Sequence, residues 1–510
     1  MNEETAWERA ASAQGTTESE RALAKLAKRA FLSLWSYPNV YTDVGRPGPG
    51  DGKELCDLLV VFGNDVLLFS DKDCEYKAGA DVKVAWPRWY KKAIEKSAKQ
   101  LAGAERLLRN FPGRFFIDKA CEAPMPVPLP DPSVARYFLI CVTRGAHSAG
   151  SSHFGGGSSG SLMLNTSIEG DAHLNEPFTV GFPLPGRRFV HVLDELTVDA
   201  LLQELDTVPD LVTYLAKKEA YLGQQGIAFS VPGEEDLLAR YMLTMEGEEH
   251  AFPMVPEGMN FVGLPEGEWA DYVKSPQRAA KRDADLVSYI WDAVIEDQSK
   301  YIRAGTARTG PWTETEAVDH ERIVRALAAE NRVSRRNLVE NWKVALHRSD
   351  PGKKFVRIVM TGRPPNRGWV FLTVPKGNEP YEDYRELRST ILGTYCSAIK
   401  LTMPTLQEAV GIASEPFADG DASRDFMYVD LREEMGDKAR AALQELMVEL
   451  DVLQTNPDVY LFKDSVKEFP MPFHFGQAGP SPSYPNAFMS RAERRRMERD
   501  ARKAAKKKTR

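Results

Sequence analysis

Cysteine is scarce: five in 510 residues, at positions 56, 74, 121, 141 and 396, with no Cys-x-x-Cys pair. An odd, scattered set argues against a disulfide framework and a structural zinc, and it fits a reducing cytoplasm. No apolar run approaches the ~20 residues that a membrane span requires. The acidic start Met1-Asn-Glu-Glu-Thr has no apolar signal core, so neither insertion nor export is expected. The glycine-rich stretch 145–161 lacks the Gly-Lys-Ser/Thr ending that gives a phosphate loop its charge. A flexible loop is expected there, with His147 and His153 as polar loop residues.

What is present is the composition of a globular protein, 43% apolar and 10% aromatic, long enough for two to four domains. The net charge of −7 is uneven. Residues 490–510 carry eleven Lys and Arg against three acids, a net of +8, which leaves the remaining chain at −15. The organisation expected is a disordered stretch 1–15, a mixed α/β domain 16–195 and a helical domain 196–350. A small α+β domain 351–466, a Pro/Gly linker 467–489 and a basic tail 490–510 follow. Arg332, Arg335 and Arg336 are expected on a solvated helix face, and the 353–450 pattern reads ββαββα. The tail, with Arg494, Arg495, Arg496, Lys506, Lys507 and Lys508, has helical propensity but no apolar stripe. Such a polycation suits an anionic polymer as partner.

The most informative stretch runs from Glu54 to Lys72. Two almost wholly apolar segments flank Gly63-Asn64-Asp65, as expected for a buried β-hairpin. Its polar residues sit at the outer ends, so Asp57 meets Ser70, Asp71 and Lys72. Register decides which of these share a face. A two-residue turn places Asp57, Ser70 and Lys72 together, with Asp71 behind. A three-residue loop pairs Asp57 with Asp71 and brings Asp73 and Glu75 to the same face, and a bulge at Ser70-Asp71 would also turn Asp71 inward. Upstream, Thr17-x-x-Glu20 opens a helix as a capping box, which accounts for Glu20 as a backbone cap. Downstream, a helix to about Asn110 carries basic residues, among them Arg88, Lys92 and Lys96, and includes Gln100-Leu101.

Over residues 16 to about 118 this pattern resembles the PD-(D/E)XK nuclease superfamily, most closely its NERD-type and Mrr-like branches. The resemblance implies an α/β restriction-endonuclease-like fold (αβββαβ) for the N-terminal domain, followed by the helical region and the small α+β domain. It implies that Asp57 holds Mg²⁺ or Mn²⁺, that Lys72 orients or activates water, and that Glu20 and Gln100 complete the site. The chain departs from the family where Ser70 stands in place of the second acidic residue, and Asp71 is the candidate substitute ligand. Glu75-Tyr76-Lys77 is a literal Glu-x-Lys match but falls beyond the apolar strand.

Two functions follow as expectations. One is a Mg²⁺-dependent DNA endonuclease, in restriction or anti-phage defence by analogy of fold, with Arg88, Lys92, Lys96 and the tail contacting nucleic acid. The other is a degenerate nuclease fold that binds nucleic acid or a protein partner through the helical and α+β regions, which the acidic body favours. RNA is the alternative polymer. No membrane partner is expected.

Overall fold

The computed structural model describes residues 15–45, 50–155, 159–306, 317–347, 352–361, 366–416, 423–454 and 466–471. The N-terminal stretch to residue 14, the linker beyond 471 and the tail with Arg494, Arg495, Arg496, Lys506, Lys507 and Lys508 lie outside the described residues. The chain forms two compact units, one of the described residues up to Ala279 and one of Ala280–Pro470. The stretch 196–350 is therefore shared between them.

In the first unit, Thr17 caps helix α1 (Glu18–Phe31) through the expected capping box with Glu20. Strands β1 (Ser36–Thr42), β2 (Lys53–Phe62) and β3 (Asp65–Asp73) follow as an antiparallel meander. Helix α2 (Val82–Tyr90) then passes through one π-helical turn (Lys91–Glu95) into α3 (Lys96–Asn110). After the two-residue β4 (Phe115–Phe116), β5 (Arg136–Arg144) runs parallel to β3. The order is α-β-β-β-α-β, with β4 as an edge addition paired to β1.

Alternation along the strands sorts the two faces of this sheet. Phe69 of β3 meets Phe31 of α1 in a tilted ring contact with centroids 6.1 Å apart. Ser70, in register with Cys141 of β5, lies on the other face, where Cys141 Sγ approaches the Ala93 carbonyl oxygen at 3.5 Å. Helices thus cover both faces, which is why β2 and β3 read as continuous apolar runs.

A short helix α4 (His147–His153) occupies part of 145–161, so that segment is not one continuous loop. His153 packs edge-on against Phe154, which fits a structural role. Beyond it lie β6 (Met163–Glu169), β7 (Thr179–Phe182), β8 (His191–Asp194), α5 (Glu195–Glu204), α6 (Val208–Leu222) and β9 (Ala228–Val231). They are followed by α7 (Glu234–Leu243), the β10–β11 hairpin (Met245–Glu246, Glu249–His250), β12 (Phe261–Gly263) and α8 (Glu268–Lys274). Strand β8 joins the first sheet, giving the order β4-β1-β2-β3-β5-β8. Strand β7 instead belongs to a second sheet, β12-β9-β6-β7, where part of the sequence reads as helix only. Its strands are three to seven residues long, too short for a clear period-2 signal.

Helix α9 (Pro276–Asp285) starts in the first unit and ends in the second, which also contains α10 (Tyr289–Arg303), α11 (Ala317–Ala328), α12 (Arg332–His347) and a four-stranded sheet. The sheet contains β13 (Phe355–Met360), β14 (Arg367–Thr373), β15 (Glu408–Ser414) and β16 (Arg424–Asp430) in that order. Helix α13 (Tyr381–Thr402) joins the parallel pair β14 and β15, and α14 (Asp437–Glu449) closes the element order. Trp291 is fully buried, edge-on to Trp369, and its indole N–H donates to the Leu327 carbonyl.

Arg332, Arg335 and Arg336 are not on a solvated face: all three are buried. Arg335 Nη1 and Arg332 Nη2 reach the Asp292 carboxylate at 2.7 and 3.0 Å, and Arg336 Nη1 reaches Asp285 at 3.2 Å. Burial of a guanidinium is tolerated because carboxylates and carbonyls take up its fork of donors. Carboxylates forty or more positions away in the sequence supplied what helical periodicity could not show.

Candidate active site

The pairing of Leu58 with Phe69 through Phe62 with Asp65 is that of a two-residue turn at Gly63-Asn64. Gly63 takes φ 59°, a left-handed conformation that a hairpin turn of this length favours. The ladder ends at Leu58 and Phe69, and beyond it alternation along each strand puts Asp57 and Lys72 on one face. The side chains follow: Lys72 Nζ donates to Asp57 Oδ2 at 3.2 Å. The backbone N–H of Asp71 donates to the same oxygen at 2.5 Å. Burial pushes the Asp57 carboxyl above its ordinary range, opposed by the Lys72 charge and the Asp71 N–H.

Asp71 itself does not turn inward. Its side chain is wholly inaccessible on the other face of β3, with Arg144 Nε 3.0 Å from Oδ1. The inward bulge that would make it a ligand beside Asp57 is therefore absent, because an unbroken parallel ladder from Asp65 to Asp73 with β5 keeps β3 regular. Glu75 and Lys77 are exposed beyond the end of β3.

Glu20 reaches the same end of the sheet from the start of α1. Its Oε2 accepts the backbone N–H groups of Thr16 and Thr17 at 2.7 and 3.2 Å, and the Asn39 amide at 3.3 Å. Burial raises the Glu20 carboxyl, but these donors together outweigh it and leave the group below its ordinary value. Asn39 also donates to Glu54 Oε1 at 2.7 Å, so one amide bridges two carboxylates. Asn39 stands across from Asp57 in the β1–β2 register with φ 51°, a strained conformation that asparagine tolerates better than most residues.

Neither Asn39 nor Glu54 was singled out by the sequence. Glu54 is three residues from Asp57, a spacing that alternation assigns to opposite faces. One irregularity changes this: Val40 pairs with Cys56, but Tyr41 pairs with Glu54. Leu55 is thus an extra residue on β2, and a bulge of this kind resets the alternation. Burial pushes the Glu54 carboxyl up; the Asn39 amide opposes that, and the Asp57 charge adds to it. Arg144 was also missed, being seventy-three residues from its partner.

Among the nucleic-acid candidates, Arg88, Lys92 and Lys96 are exposed on α2, the π-helical turn and α3. Lys92 and Lys96 act on the Cys74 thiol from the same side of the electrostatic balance as Lys72, placing three lysine charges around the end of β3. Gln100 is half-buried on α3, which packs on β3, and no hydrogen bond of its side chain is seen among the described residues.

The donors gathered here are all oxygens, the type that suits a hard divalent cation rather than zinc or copper. Among the described residues no group of three or more His, Cys, Asp or Glu is arranged to hold a metal. Mg²⁺ does not demand one, since it commonly uses one or two carboxylates and completes its shell with water and substrate phosphate. Among the described residues no helix is long and apolar enough to cross a membrane. No family model matches the chain, and neither a curated protein nor a solved structure matches it.

Proposed function

We propose that the first unit is a restriction-endonuclease-like domain that cleaves phosphodiester bonds in DNA with the help of Mg²⁺ or Mn²⁺. The observation that carries this reading is the 3.2 Å approach of Lys72 to Asp57 at the open end of an α-β-β-β-α-β sheet. Asp57 would hold the cation, which when bound would supply charge for the reacting phosphate and a more acidic water. The chain's own part is to aim and to steer. Lys72 sits where its ammonium can turn from Asp57 to a phosphate oxygen or to the attacking water. Lys92 and Lys96 extend the positive surface along which a nucleic-acid backbone would lie, and Arg88 lies on the preceding helix. A role in restriction or anti-phage defence rests on analogy of fold alone.

The second reading is a binding scaffold on the same fold. The engagement of Asp71 by Arg144 favours it, because that leaves Asp57 without the second β3 carboxylate of the family pattern. One assay separates the two: supercoiled, linear and single-stranded DNA are incubated with the full chain and Mg²⁺ or Mn²⁺. Cleavage that disappears in Asp57→Ala and Lys72→Ala supports the hydrolase. Binding without cleavage by the wild type supports the scaffold, and equal nicking by all three proteins removes this site from the reaction.

A further inference from the structure

We infer that Glu54 and Asp57 together are the carboxylate ligands of a divalent-cation site at the end of β2, with Glu54 standing in for the acid that Ser70 replaces. This rests on the hydrolase reading and specifies how its site is built.

Four observations converge on Glu54. The extra residue at Leu55 cancels the alternation that would send Glu54 to the face opposite Asp57. The Asn39 amide, held across from Asp57, fixes Glu54 Oε1 at 2.7 Å and leaves the second carboxylate oxygen for another partner. Ser70 directly follows Phe69, the last β3 residue paired with β2, and alternation puts it on the Lys72 face; it is fully buried, and among the described residues its hydroxyl has no hydrogen-bond partner. A buried hydroxyl left in that condition is costly unless something beside it takes its lone pairs or its proton. A cation between Asp57 and Glu54, or a water bound to that cation, does so.

The fourth observation distinguishes Glu54 from Glu20, the other acid at this end of the sheet. Glu20 is committed to the start of α1, with two backbone N–H groups and the Asn39 amide all on Oε2. Its charge is already compensated by those donors. Glu54 has one amide donor, lies close enough to Asp57 to feel its charge, and gains more from an added cation. Two carboxylates leave the remaining positions of an octahedral Mg²⁺ or Mn²⁺ for water and for a non-bridging phosphate oxygen of the substrate.

The test is a calorimetric Mn²⁺ titration of the full chain without nucleic acid. It compares wild type, Glu54→Gln, Asp57→Asn, Glu54→Asp and the exposed control Glu122→Gln. The expected result is at least about a tenfold loss of Mn²⁺ affinity in Glu54→Gln and in Asp57→Asn, of the size seen when metal-site partners are removed. Glu122→Gln should bind as wild type does. Glu54→Asp keeps the charge but retracts it by one methylene and should bind with intermediate affinity; it decides the matter if Glu54→Gln does not fold. Wild-type affinity in either Glu54 variant, with affinity lost in Asp57→Asn, overturns the assignment of Glu54 and leaves the hydrolase reading standing. A wild-type protein that binds no Mn²⁺ also overturns the assignment, and the DNA assay then decides the hydrolase reading separately.

Discussion

Asp71 and Arg144 form an ion pair on the face of β3 opposite the Asp57–Lys72 contact, with Nε 3.0 Å from Oδ1 and the Asp71 side chain closed to solvent. Adjacent residues of one strand therefore serve two separate pairs. Burial pushes the Asp71 carboxyl up, and Arg144 is its main compensation. Arg144→Ala would leave a buried carboxylate alone and should destabilise the unit by about 2–4 kcal/mol, somewhat below the usual cost because Arg144 retains solvent contact. Urea unfolding of Arg144→Ala against Asp71→Asn/Arg144→Ala checks this. The double variant should recover much of the loss, and no recovery would mean that Arg144 acts through packing.

Ser70→Asp puts a second carboxylate on β3, at a position with no exposure. Without a cation it places a second buried negative charge on the face of Asp57, so the melting temperature in EDTA should fall below that of the wild type. With Mg²⁺ or Mn²⁺ in excess the variant should regain stability by more than the wild type gains, because a ligand that binds only the native state stabilises it. An equal response of the two proteins to the cation would place Ser70 outside any metal site.

Asp194 offers a pH test away from the hairpin. It caps α5 through the N–H groups of Leu196 and Thr197, accepts the Leu162 N–H at 2.9 Å, and is pushed up to about 7 by burial first and by Glu235 second. The folded state therefore holds a proton that the unfolded state has released between about pH 4 and 7, so this group's contribution to stability falls as pH rises through that window. Asp194→Asn keeps a capping side chain and removes the titration. Relative to wild type it should be more stable at pH 8 than at pH 5, by an amount on the order of a few kcal/mol. A difference independent of pH in denaturant unfolding would show that Asp194 titrates normally.

The basic tail makes a prediction from charge alone. Removing residues 490–510 should weaken nucleic-acid binding and flatten its dependence on salt, by roughly 0.9 in log–log slope for each phosphate no longer neutralised. An unchanged slope in filter binding or fluorescence anisotropy would take the tail out of the interaction.

The element order of the described residues between 15 and 144 could be read from the chain. The capping box at Thr17, the apolar runs of β2 and β3 and the helix to Asn110 are local signals, and all appear where periodicity and caps placed them. The strands and helices after Phe355 were legible for the same reason. The short strands β6, β9 and β12 were not, because each is stabilised by neighbours distant in sequence rather than by its own pattern. The buried arginines of α12 were misplaced because helical spacing records which residues share a side, not what covers that side.

For the site, the sequence alone determined the cast: an aspartate and a lysine at the outer ends of a buried hairpin, an acid at the start of α1, and a serine where a second acid is expected. Tertiary structure decided the arrangement. The turn length chose the face, so Asp57 meets Lys72 while Asp71 is given to an arginine on the parallel neighbour β5. A single extra residue in β2, visible only through its pairing with β1, brought Glu54 to the amide of Asn39. Side-chain direction in a sheet depends on register, and register is a property of two strands together, which no one stretch of sequence contains.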